Sequence, residues 1–168
     1  MIWNMSINKY VDHLLILPED DASKDIANSL HVLSNIKTNK YQIMPPGDGW
    51  GKTIDSLKED YLDDVIKYEK RRIVLLIDLD NDSSRLEHIR KELLKDVPES
   101  VKERIFIFGV FSEPEDLKKQ TNKSFETIGK ELLKDCPNEV SKLWSHDLLK
   151  HNLNEVERFR VSAGFLFE

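Results

Sequence analysis

Three aspartates at alternate positions, Asp78, Asp80 and Asp82, close the apolar run of the stretch IVLLIDLDND at residues 73–82. A second acidic group, Glu19 with Asp20 and Asp21, follows the apolar run HLLILP at residues 13–18. Singly, such carboxylates cap helices or stay solvated. Gathered in one crevice they repel one another, and burial raises the cost of keeping them ionised, so a cluster calls for a divalent cation. Magnesium suits the set, with manganese as the alternative, because it takes hard oxygen ligands and keeps waters that a phosphate can displace.

The elements that must position these acids alternate along the chain. HLLILP reads as a buried strand, after which Asp20 or Asp21 can cap a helix with Ala22, Ile26, Leu30 and Leu33 at helical spacing. YQIMP at 41–45 reads as a second strand stopped by Pro45 and Pro46, and GDGWGK at 47–52 as a turn. Ile54, Leu57, Tyr61, Leu62 and Val65 mark a second helix, RRIVLLIDLD a third strand, Leu86, Ile89, Leu93 and Leu94 a third helix, and RIFIFGV at 104–110 a fourth strand. Beyond Pro114 the chain turns helical. Phe125, Ile128, Leu132 and Leu133 form one periodic set, Val140, Leu143, Trp144, Leu148 and Leu149 another, and VSAGFLFE is an edge strand or a docked tail.

This order predicts an α/β fold with a mostly parallel central sheet of about four strands, helices on both faces and a helical C-terminal extension. In open parallel sheets, functional groups collect where strands deliver their carboxyl ends. If the first and third strands are neighbours, Glu19, Asp20, Asp21, Asp78, Asp80 and Asp82 face one crevice.

A chain of 168 residues with 39% hydrophobic content suits one domain over residues 1–168, with its core at about 11–110 and the extension at about 114–160. The net charge of −6 excludes a globally basic nucleic-acid or anionic-membrane binder, so any basic surface must be local. Cys136 is alone, which excludes a disulfide framework and points to a reducing, cytoplasmic setting. The opening MIWNMSINKY lacks the features of a signal peptide, and no stretch approaches the roughly 18 apolar residues of a membrane span. The expectation is a soluble intracellular protein without a membrane partner.

A strand ending in Glu19, a helix, a second strand with a Gly-rich turn, another helix, and a hydrophobic strand ending Asp78-x-Asp80 resemble the TOPRIM domain of topoisomerases, bacterial primases and OLD-family nucleases, over about residues 11–110. The OLD-like members are closest in pattern. The resemblance implies that Glu19, Asp78 and Asp80 bind magnesium and act on phosphodiesters of DNA or RNA. It places Asp82 where some members carry a further acid, and Gly49 and Gly51 at the Gly-rich turn. Where the family usually has Gly after its glutamate, this chain has Asp20. On this reading the metal polarises a phosphodiester, and Glu19 completes the metal site or serves as general acid/base. Lys52 and Arg85 are the cations placed to hold the phosphate.

The remaining conspicuous residues read more plainly. The basic run KYEKRR at 67–72 precedes the third strand at its amino end and reads as solvated surface. His146 and His151 are not spaced for two ligands on one helical face. Glu113 and Glu115 either cap a helix or join the crevice if the fourth strand lies beside the third. Trp50 pins its turn to the core or stacks on a base. A non-catalytic interaction module, whose protein partner supplies basic surface, is the alternative function. A receiver-like phosphoacceptor is a further one, but it lacks the Lys-Pro after a fifth strand. A haloacid-dehalogenase-type phosphatase would carry its nucleophile after the first strand.

Overall fold

The computed structural model describes residues 7–95, 97–137 and 142–167. Four strands, β1 (His13–Pro18), β2 (Tyr41–Ile43), β3 (Arg71–Leu76) and β4 (Ile105–Phe108), form one sheet in the order β2-β1-β3-β4. All three pairings are parallel, and the central pair runs in register from His13 opposite Arg71 to Pro18 opposite Leu76.

The unbroken apolar runs of β1, β3 and β4 follow from burial on both faces. Successive side chains point to opposite sides. Leu14, Ile16, Val74, Phe106 and Phe108 enter one core, whereas Leu15, Leu17, Ile73, Leu75, Ile105 and Ile107 enter the other. The second core is closed by α2 (Trp50–Ser56), α3 (Leu62–Lys67), α4 (Ser83–Leu94) and the short α5 (Glu99–Lys102). The first is closed by α1 (Asp21–Ala27), α6 (Pro114–Thr121), α7 (Phe125–Asp135) and α8 (Leu153–Ser162). The C-terminal extension therefore builds most of one face of the sheet.

Three elements differ from the periodic reading. The first helix stops at Ala27 and tightens into a 3-10 turn over Asn28–Val32. There α7 comes so close that a Cβ at Gly129 would lie 1.9 Å from Ser29 Oγ. The second helix is interrupted by a π-helical turn at Leu57–Tyr61 between α2 and α3. Such a turn takes up an extra residue, and it lets Leu57 and Val65 both face the sheet at 0% exposure.

In the C-terminal set Val140 lies outside the described residues. Leu143 and Trp144 are buried from a 3-10 turn at Leu143–Ser145, and Leu149 from the position just before a second one at Lys150–Asn152, rather than from one helix. The end of the chain is a docked tail: Leu166 is buried, and Phe167 makes a single antiparallel bridge to Ile36.

The helical extension expected to about residue 160 ends in α8, which no periodic apolar set marks: besides Val156 and Phe159 it buries an acid, Glu155, against β4. Glu155 accepts the Ile107 N–H at 2.9 Å, and Arg158 donates to the Ile105 carbonyl at 2.6 Å. Asn152 bonds both the N–H and the carbonyl of Gly109. Side chains thus supply the partners that a fifth strand would have given, and the edge is covered.

KYEKRR is not all solvated. Arg71 is buried, donates from Nε to His13 Nε2 at 3.0 Å and pairs with Asp64, while Arg72 pairs with Asp12 and lies over the Phe165 ring. Both arginines belong to β3, whose burial draws them inward with their partners. Among the described residues, no helix is long and apolar enough to cross a membrane.

Candidate acidic site at the carboxyl end of the sheet

Because β1 and β3 are adjacent and parallel, they deliver Glu19 and Asp78 to the same end of the sheet. The Glu19 N–H still bonds the Leu76 carbonyl at 2.9 Å, continuing the ladder. Its carboxylate then turns across the strand end and accepts the Asp78 backbone N–H at 2.7 Å. Both residues are buried, Glu19 at 8% exposure and Asp78 at 4%. Burial raises the Glu19 pKa against the lowering effect of that hydrogen bond, with Asp20 and Asp80 adding to the rise. Asp78 is pushed up to about 9, by burial first and then by Glu19, Asp20, Asp80 and Glu115.

The chain beyond Asp78 is shaped locally. Asp80 and Asn81 have φ of 47° and 62°, in the left-handed region that Asp and Asn tolerate best, and the Asp82 N–H closes the turn on the Leu79 carbonyl. Asp82 is the N-cap of α4, accepting the Ser84 N–H and hydroxyl; these bonds lower its pKa. Asp80 pairs with Arg85 at 2.6 Å, and the same guanidinium nitrogen reaches the Asp78 carbonyl at 3.2 Å. The repulsion within Asp78-x-Asp80-x-Asp82 is therefore offset in three ways: burial that favours the neutral acid, an arginine, and a helix start.

Gly109 lets β4 close in from the other side, since a Cβ there would lie 1.7 Å from the Ile77 carbonyl oxygen. The pairing of the two strands continues past their ends through Leu79 to Val110 and Asp80 to Ser112. Glu113, the N-cap of α6, is thereby brought toward the crevice. Glu115 and Asp116 raise its pKa first, and Asp80 and Asp20 contribute. The conditional placement of Glu113 and Glu115 beside the acids is met, because β4 does lie next to β3.

The Gly-rich turn also reaches this end. Gly47 N–H bonds the Pro18 carbonyl and Gly49 N–H the Glu19 carbonyl. Gly49 has φ +125° and needs to be glycine for that reason, but a Cβ on Gly51 would meet open space. The close approach belongs to Gly47, where a Cβ would lie 2.2 Å from Thr53 Oγ1; a polar neighbour six residues on is too faint a sequence signal to single it out. Lys52 is exposed and, among the described residues, carries no ion pair. Trp50 is half-buried against the second core, with Arg85 over its ring at 5.0 Å and His88 edge-on. It is a pin, and it holds the arginine that neutralises Asp80.

The donors gathered here are hard carboxylate oxygens, the chemistry that magnesium takes. Among the described residues, no group of three or more His, Cys, Asp or Glu side chains is arranged to hold a metal ion. Glu19 and Asp78 come together, Asp80 is turned to Arg85, and Asp82 is spent on its helix.

Compared with known proteins, the chain matches no family model, no curated protein and no solved structure.

Proposed function

We propose that the carboxyl end of the sheet is a magnesium- or manganese-dependent site for phosphodiester chemistry of the TOPRIM type, acting on DNA or RNA. The observation that supports it is the approach of two buried acids, Glu19 and Asp78, from adjacent parallel strands with Asp80 two residues on. Bound there, the ion would polarise the phosphodiester and stabilise charge on the leaving oxygen. Glu19, Asp78 and Asp80 are the residues to hold it. Arg85, fixed by Trp50, is the cation nearest the acids and is positioned to meet a phosphate, while Lys52 at the Gly-rich turn adds charge at the rim.

A second reading follows from the Arg85–Asp80 pair itself. An arginine already neutralising the second aspartate is what a non-catalytic interaction module would keep, with a protein partner supplying further basic surface. One experiment separates the two. The purified chain, at low ionic strength because its net charge opposes nucleic-acid binding, is incubated with single- and double-stranded DNA and RNA plus magnesium or manganese. Cleavage that EDTA stops, and that Glu19→Gln and Asp80→Asn each abolish while preserving the fold, is the expected result. Absence of cleavage on every substrate leaves the interaction module.

A further inference from the structure

The core between the sheet and α1 and α7 is not filled. A cavity of about 110 Å³ lies among Leu14, Ile16, Ala27, Leu132, Trp144 and Phe159, and only apolar atoms face it. These six residues are all buried, and half-buried Ile26, Leu76 and Leu133 complete the walls. A smaller one of about 60 Å³ adjoins it, sharing Ile26, Leu76, Phe108, Leu132 and Trp144 as walls. Asp78 lies on the wall of the smaller cavity.

Protein interiors are close-packed, and an unfilled apolar volume costs contacts on every wall. Water gains nothing by entering, since it would find no hydrogen-bond partner on an apolar lining; apolar cavities of about 150 Å³ stay dry and take up benzene or xenon instead. The larger cavity is of that order.

We propose that this cavity is a binding site for a small apolar molecule, of the size of benzene or a short branched alkane. The lining decides the class: no charged or polar side chain among these residues could orient a polar ligand. Volume decides the size, because three aromatic rings, Phe108, Trp144 and Phe159, and the aliphatic chains around them bound a space that holds one ring or a few methylene groups. The inference does not depend on the phosphodiester reading, as none of its walls is an acid.

Benzene is the probe. Titrated into the full chain, it should raise the Tm saturably, because it binds the folded state alone, and should shift the methyl NMR signals of Leu14, Ile16 and Leu132 more than those of Leu15, Leu57 and Ile89 in the opposite core. Ala27→Leu places its added carbons in the cavity, so it should keep or raise the Tm and lose the benzene response. Cys136→Leu, from another wall, serves as an independent filling variant if the first fails to fold. A wild-type Tm that benzene does not raise, methyl shifts spread equally over both cores, or a folded filling variant that responds as the wild type does would each overturn the proposal.

Discussion

Asp78 sets the electrostatic character of the site. Its carboxyl holds a proton to about pH 9 when folded, against 3.8 for the unfolded group. The folded state therefore binds more protons between those values, and the stability contributed by this residue is complete below the lower one and is lost as pH rises through the upper. Asp78→Asn removes the titration and keeps the volume. It should be more stable than the wild type at neutral and alkaline pH, with a flatter pH dependence; chemical denaturation across that window measures both. A variant that follows the wild-type curve would mean that the carboxyl is already ionised and compensated. Asp80 and Asp82 illustrate the opposite fate of the same residue type. One is exposed beside an arginine and the other starts a helix, so each has its partner at the surface rather than in the core.

At the level of elements, two devices hold the site in place. The π-helical turn between α2 and α3 aims Leu57 at the sheet with no exposure, so Leu57→Ala should cost about 2–5 kcal/mol, the range for buried large-to-small changes. A loss below about 0.5 kcal/mol in urea denaturation would show that the turn repacks around the gap. The covering of the β4 edge is the other device. Glu155→Ala would orphan the Ile107 N–H and leave Arg158 without its carboxylate partner, a loss of about 1–3 kcal/mol for an unsatisfied buried donor. Hydrogen exchange should localise the effect, with the Ile107 amide losing protection while the β1 amides keep theirs.

On the scale of the whole molecule, the sheet is covered by the helices that connect its strands and by those that follow its last strand. Deleting residues 153–167 would remove Val156, Phe159 and Leu166 from the first core and bare the hydrogen-bonding edge of β4. The truncated chain should aggregate or lose cooperative unfolding, which sedimentation and circular dichroism would register; a monomer with an unchanged melting curve would assign the stability of the fold to residues 7–152 alone.

What sequence alone determined were the features that depend on neighbours along the chain. Apolar runs marked β1, β3 and β4, 3.6-residue periodicity marked the helices, and alternation implied a parallel sheet whose carboxyl ends carry acids. These signals are local because strand and helix periods repeat within a few residues. Tertiary structure decided where each polar group spends its hydrogen bonds and charge. Glu19 meets the Asp78 N–H across 59 positions of sequence, and Glu155 meets Ile107 across 48. Arg71, which reads as one more surface cation, is buried against His13 from 58 residues away. An isolated acid or arginine looks alike in sequence whether it caps a helix, seals a sheet edge or faces a ligand. Its role is set by the partner that folding brings to it, and by how much water that encounter removes.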